Sequence, residues 1–337
     1  MKALKQIALK GLLLLVGLIA LNFIYKATLW QSDLEQYTSL TDEIKNTQNA
    51  DILYLGDCSD AYFGSGNEHE KGISQLLDSL LPNTKVATIS ETGFHAGMFS
   101  SVLHHIPTNS KIKTVIVTMN LRSFAAYVKY TFITNSINQR LVMLDNNPPL
   151  LNRFFLMVNN SEHYSGAELD TMKINRWKND PLNASPYNNL FDWKTAYENG
   201  KIIDFDANWT TQLKEKGAAH IANYAFEINT KTSLRIKDFD NIVTIAKNRN
   251  WKLVFHLLPE NSSTSQQLVG KELTNLINHN RKLLKQRYNK NGVVVVDNIG
   301  LLNTEEFIET KPNSHYQYNG RRLMAKAIKE KIANFKN

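Results

Sequence analysis

Only one cysteine, Cys58, stands in the 337 residues, so no intramolecular disulfide can form. An oxidising compartment is thereby permitted but not indicated. Arginine-rich runs are missing as well. The net charge of +8 is modest for this length, and the lysines are spread along the whole chain. A nucleic-acid partner would need a basic cluster interleaved with stacking aromatics, and there is none. Anionic lipid or an acidic polysaccharide suits such a surface better. Internal repeats and low-complexity tracts are absent. His104 and His105 are neighbours in a helical stretch, so their side chains diverge and make no metal site; no cofactor is expected. With 42% hydrophobic, 10% aromatic and 21% charged residues, the chain reads as globular, with one large domain or two small ones.

What is present begins with an anchor. Lys2, Lys5 and Lys10 precede an apolar run from Gly11 to Tyr25, interrupted by Asn22. Ile7–Leu9 and Ala27–Trp30 extend it to spanning length, with Lys10 and Lys26 snorkelling. No small-x-small cleavage site and no lipobox cysteine follow. The expectation is a retained single-pass anchor over residues 1–30 in the cytoplasmic (inner) membrane. The lysine bias puts the N-terminus inside and the rest of the chain in the extracytoplasmic space or periplasm. Leu34, Tyr37 and Leu40 recur at helical spacing, so residues 31–50 read as a helical stalk.

Strands and helices then alternate over residues 51–337. Asp51–Leu55, Lys85–Ile89, Thr114–Met119, Lys252–Leu258 and Val293–Val296 read as strands, and continuous β-branched runs such as Thr114–Met119 suit strands buried on both faces. Helices are expected at Ser74–Leu81, Ala96–Ile106, Leu234–Asn248 and Ser265–Tyr288, and along the face Leu323–Ile332. The fold class is α/β, a three-layer parallel sheet of five strands in the flavodoxin-like order 2-1-3-4-5. Between the third and fourth strands lies an aromatic-rich, mainly helical insertion, about 121–232, carrying Trp177, Trp193 and Trp209. Such insertions make substrate walls or purely packing subdomains.

Four blocks fall at the carboxyl edge of this sheet, where ligands bind in open α/β folds. They are Gly56-Asp57-Cys58-Ser59, the stretch Gly93 to Gly97, Asn120-Leu-Arg122, and Asn313-Ser-His315 before the last helix. Their order resembles the SGNH (GDSL-like) hydrolase superfamily, in particular its membrane-anchored extracytoplasmic bacterial members, some of which serve membrane-bound O-acyltransferases. The resemblance covers roughly residues 51–336, with the insertion outside it. It implies Cys58 as nucleophile and His315 as general base. The amides of Cys58 and Gly97 (or Gly93) and the Asn120 side chain would form the oxyanion hole. Arg122, Ser59 and Glu260 are candidate substrate contacts.

Two positions depart from the family pattern. Most relatives carry serine where Cys58 stands; a thiol can still form a thioester. The aspartate usual three residues before the histidine is replaced by Pro312, with Glu309 the nearest upstream acid and Asp297, Glu305 and Glu306 weaker candidates. A one-residue slip would make Ser59 the nucleophile, but its side chain should point away. His95, Asp60 and Glu91 lie near the same edge.

Each residue has a plainer reading: Cys58 as a small buried hydrophobe, Asn120 as a turn residue, His315 as a helix cap, Gly97 as a packing glycine. Two functions remain open at this level. One is an esterase or O-acyltransferase acting through a Cys-His acyl-enzyme on an acylated cell-envelope glycan, lipid-linked sugar or small acylated substrate, with a membrane-bound O-acyltransferase as an implied partner. The other is a degenerate relative serving as a binding or assembly subunit of an envelope complex.

Overall fold

Two strands carry no polar side, and both end up between neighbours. β1 (Ile52–Asp57) and β3 (Thr114–Met119) are buried at every position. In the computed structural model they lie side by side, with Leu55 opposite Val117 and, on the other flank, Ile89 of β2 (Val86–Glu91). β4 (Lys252–Leu257) and β5 (Val294–Asp297) complete a fully parallel sheet in the order β2-β1-β3-β4-β5. The expected order and strand count hold. The structure describes residues 2–35, 38–60, 71–125, 142, 145, 147–160, 165–308 and 315–333.

Alternation along β1 builds two cores. Leu53 and Leu55 face a layer made by α3 (Thr38–Asn46), α5 (Ala96–His105), α10 (Leu234–Asn248) and α12 (Lys271–Lys290). Ile52 and Tyr54 face α4 (Ile73–Leu80) and α13 (Tyr318–Ala333), the latter through Met324, Ala325 and Ile328. Helices on both faces of a parallel sheet make the three-layer arrangement.

The remaining helices are α1 (Lys2–Thr28), α2 (Trp30–Glu35), α6 (Pro149–Asn160), α7 (Gly166–Asn179), α8 (Leu190–Glu198), α9 (Thr211–Tyr224) and α11 (Ser262–Leu268). Within α1, Leu4–Thr28 is long and apolar enough to cross a membrane, and none of its most apolar stretch is buried in the protein. Residues 31–50 are largely helical, yet Leu40 and Ile44 sit in the core, on a helix packed against β2. This segment therefore packs on the domain rather than standing clear of it; Tyr37 lies outside the described residues. Trp193, Tyr197 and Tyr224 of the insertion are fully buried in that core, so for them the packing role holds.

One expected helix is two. Ser265–Tyr288 breaks between α11 and α12 at Gly270, whose φ of +123° is open to glycine and strained for other residues.

Candidate active site

β1 ends where its chain must turn tightly. Gly56 has no room for a side chain: a Cβ there would meet Ser90 Oγ at 2.8 Å and Tyr54 at 3.1 Å. The next four residues close a turn through Asp60 N–H to Asp57 O, 3.1 Å. Cys58 occupies the first inner position of this turn and is half-buried. The turn is held by the Asp57 carboxylate. Its Oδ1 accepts from Ser59 N (2.9 Å) and Ser59 Oγ (2.5 Å), while Oδ2 accepts from Asn120 Nδ2 (3.2 Å). Ser90 Oγ donates to the Asp57 carbonyl at 2.8 Å.

Asp60 fixes the other side. It is buried and accepts from Ser74 N and Ser74 Oγ, both at 2.8 Å, at the start of α4. Burial pushes its carboxyl up to about 6, against the Ser74 hydrogen bonds.

Asn120 follows β3 and caps the short 3-10 turn Leu121–Phe124. Its Oδ1 accepts from Arg122 N (2.9 Å) and Arg122 Nε (3.2 Å). Its amide nitrogen has two hydrogens, one of which goes to Asp57. Beneath it lies a buried polar cluster. Glu260 is 2% exposed and accepts from the Tyr224 hydroxyl and the Leu121 amide; burial pushes it up to about 7, opposed by Arg122. His220 Nδ1 meets Ser265 Oγ at 2.7 Å, and burial pulls the imidazole down to about 4, helped by Arg122 and Lys216.

The C-terminal segment arrives at the same place. His315 and Tyr316 are buried, and Phe307 and Tyr316 form an antiparallel bridge, with Ile308 N donating to His315 O at 2.9 Å. Arg321, fully buried on α13, ties Tyr316 O (2.6 Å) to Lys71 O (3.1 Å) at the entrance to α4. Tyr316 donates to Pro259 O at 3.0 Å. Burial raises its phenol well above the usual value. Glu260, Asp57 and Cys58 add to the rise and Arg122 opposes it, so all four lie within electrostatic reach of the residue after His315.

The predicted residues therefore sort into groups. Cys58 and Asn120 sit on two turns joined by the Asp57–Asn120 hydrogen bond, and the C-terminal segment comes within electrostatic reach of Cys58 through Tyr316. Gly97 is engaged elsewhere. Its amide donates to His95 Nδ1 at 3.2 Å, and a Cβ there would meet Asp238 at 3.1 Å, so it acts at the α5 cap and its packing on α10. His95 Nδ1 also faces Arg235 Nη1 at 2.5 Å; burial, with Arg235, pulls this imidazole down to about 3. Gly93, with φ +80°, makes the turn between β2 and α5. Ser59 is 1% exposed and bonded to Asp57, which corrects its assignment as a substrate contact and agrees with its pointing away. Glu260 is likewise corrected, since it lies buried below the site.

Candidate acids for His315 are mostly committed elsewhere. Asp297 is held by Arg281 Nε (2.9 Å) and Lys285 Nζ (3.3 Å). Glu306 accepts from Asn303 N and Asn319 Nδ2, both at 2.8 Å. Glu305 is exposed, and Glu309 and Pro312 lie outside the described residues. Among the described residues no cluster of metal-ligating side chains occurs.

Sequence reasoning missed the Asp57 carboxylate as the organiser of the turn, and also Tyr316, Tyr224 and His220. Only Asp57 and Tyr316 had a usable signal, as direct neighbours of Cys58 and His315. A cleft of about 460 Å³ lies past the Leu121–Phe124 turn, lined by Phe124, Trp177, Phe226, Arg176, Glu227 and Arg235 among others. Two further surface cavities, one on the C-terminal turns of α12 and one around Asp51 and Lys85, lie at the opposite, amino edge of the sheet.

No family model matches the chain, and no curated protein matches it in sequence. Solved structures match it in shape. A lipase/acylhydrolase from Enterococcus faecalis is 10% identical, covers 84% of this chain and 96% of its own, and gives a TM-score of 0.39. A GDSL-like lipase from Bacteroides thetaiotaomicron is 8% identical over 91% of this chain and 98% of its own, TM-score 0.38. An acetyl-xylooligosaccharide esterase from a Geobacillus species is 9% identical over 84% and 94%, TM-score 0.39. The sheet order and layering are those expected from the sequence.

Proposed function

We propose that this chain is a membrane-anchored SGNH-type esterase or O-acyltransferase of the cell envelope, with Cys58 as nucleophile and His315 as general base. The observation that carries the reading is the turn at the end of β1. There the Asp57 carboxylate binds the Asn120 amide that follows the neighbouring strand and leaves Cys58 half-buried at the corner. The burial of His315 one residue from Tyr316 supports the base assignment.

In this mechanism His315 takes the Cys58 proton as sulfur attacks the ester carbonyl. The oxyanion is met by the Cys58 amide, the second hydrogen of Asn120 Nδ2 and the Gly93 amide, which replaces the engaged Gly97. The carbon–oxygen bond then breaks, and the departing alcohol takes the proton back from His315. Water, or a glycan hydroxyl in the transferase version, attacks the thioester while His315 accepts its proton. The acyl group leaves as acid or new ester, and the thiol is restored.

The acceptor in this reading is a cell-envelope glycan, a lipid-linked sugar or a small acylated substrate. Trp177, Phe226 and the charged groups of the neighbouring cleft suit a sugar face and its hydroxyls. A membrane-bound O-acyltransferase is the partner that the anchor and the transferase reading fit. The N-terminal lysines favour an extracytoplasmic domain in the inner membrane.

A second reading, an assembly subunit without turnover, is favoured by specific contacts. The Gly97 amide is engaged, and Asp297 and Glu306 are paired away from His315. Hydrolysis of p-nitrophenyl acetate by the purified full chain, abolished in Cys58→Ala and His315→Ala, separates the two. Turnover that survives both substitutions, or no turnover in the wild type, rejects the catalytic reading.

A further inference from the structure

α6 is apolar on the side that faces away from the protein. Leu151, Phe154, Phe155 and Val158 recur at i, i+3, i+4 and i+7, one face of a helix, and all four are exposed, Phe154 by 57%; Met157 beside them is 66% exposed. The opposite face is the buried one: Asn152 donates to Asp145 O at 2.8 Å, and Leu156 is 3% exposed. A soluble helix reverses this pattern, since exposed apolar stripes this continuous mark contact surfaces.

The stripe's position identifies its occupant. α6 packs against α1. The Asn22 side chain of α1 accepts from Leu150 N at 3.0 Å in the first turn of α6, and Arg153 pairs with Asp33 at 3.7 Å. Tyr25 of α1 donates to the same Asp33 and stacks edge-on against Trp30, with ring centroids 6.1 Å apart. Asn22 lies six residues before the end of α1, about 9 Å along its axis. A 25-residue apolar helix, about 37 Å long, exceeds a hydrocarbon core of about 30 Å, so its last turns lie at headgroup level. Tyr25, Trp30 and Arg153 are residue types suited to that zone.

We propose that α6 is an interfacial helix whose Leu151–Phe154–Phe155–Val158 face enters the outer leaflet beside α1, so that the domain holds the bilayer at two points. This rests on the reading of α1 as a membrane anchor. Two contacts fix the rotation of the domain about α1, which a single helix leaves free. The stripe lies on a helix packed against α1, whose own apolar residues are exposed, and the only charged side chain of α6, Arg153, is paired with Asp33 just past the end of α1.

The full chain carrying Cys58→Ser is prepared with single cysteines at Phe23→Cys, Phe154→Cys, Met157→Cys or Lys290→Cys. Each is labelled with bimane and reconstituted into vesicles of phosphatidylethanolamine and phosphatidylglycerol containing doxyl lipid, with circular dichroism confirming the fold. Labels at 23, 154 and 157 are expected to lose about half or more of their emission, with the label at 290 unchanged. Quenching at 23 but not at 154 or 157 overturns the proposal while leaving the anchor standing. Absence of quenching at 23 removes the anchor reading and the proposal with it. Shielding of 154 and 157 from aqueous iodide without doxyl quenching gives the face to a second copy of the chain and also overturns the proposal.

Discussion

Asn120 Nδ2 donates to Asp57 Oδ2 across the β1–β3 boundary at 3.2 Å, and this one bond couples the turn that presents Cys58 to the turn that follows β3. Asp57 also receives the amide and hydroxyl of Ser59, so a single buried carboxylate satisfies donors from both loops. Removing it leaves those donors unpaired in a site with little water access.

Asp57→Ala is therefore expected to lose about 2 kcal/mol of stability, the usual scale for stranding buried partners of a charged group. A fall in kcat of about 10²-fold or more should accompany it if Asn120 serves the oxyanion. Urea unfolding and p-nitrophenyl acetate kinetics measure the two effects. Unchanged kcat in a folded variant contradicts the role given to this bond.

Glu260 provides a pH test. Burial raises its folded pKa from 4.5 to about 7. An acid raised on folding binds its proton more tightly in the native state. Its contribution to stability is therefore present below pH 4.5 and is lost as pH rises from 4.5 through 7. The loss is on the order of 3 kcal/mol. Glu260→Gln keeps an acceptor for Tyr224 and removes the titration. The difference in unfolding free energy between variant and wild type should grow in the variant's favour from pH 5 to pH 7, within the window that those two pKa values set. A difference flat across that range would show that Glu260 titrates normally.

His256 titrates in the opposite sense. It bridges Tyr54 Oη (Nδ1, 3.2 Å) and Asn298 Nδ2 (Nε2, 2.9 Å), and burial pulls it from 6.5 down to about 3. A base lowered on folding loses stability as pH falls from 6.5 toward 3. His256→Gln should flatten the acid limb of the stability profile over that interval. An unchanged limb would place the acid sensitivity in other groups.

The strand ends were legible because their chemistry is local. Thr114–Met119 could only be a doubly buried strand, and Gly56-Asp57-Cys58-Ser59 after an apolar run marked the turn that ends the first strand. The break at Gly270 was missed because leucines and isoleucines keep helical spacing through α12, and a single glycine gives no sign of its φ. Gly97 was assigned from block order alone; its partner His95 was in view two residues away, but Arg235, which completes that contact, is 140 positions distant. Long-range pairings such as Glu260 with Tyr224 and Arg321 with Lys71 leave no periodic trace in a single chain.

Gly56→Ala tests the tightness of the β1 turn. A methyl at 2.8 Å from Ser90 Oγ and 3.1 Å from Tyr54 must displace one of them. The expected loss is about 1–3 kcal/mol by thermal or urea unfolding. A variant as stable as the wild type would mean that the turn relaxes freely, and the fixed placement of Cys58 would fall with it.

The account stands most directly on whether Cys58 carries an acyl group. Intact-protein mass spectrometry of the purified full chain, quenched in acid shortly after mixing with p-nitrophenyl acetate, reads this without assuming turnover. The account predicts one acetyl adduct mapped to Cys58, removed by neutral hydroxylamine as a thioester should be, absent in Cys58→Ala and slower to form in His315→Ala. An adduct that persists in Cys58→Ala, or a wild-type chain that neither acylates nor turns over the ester, contradicts it.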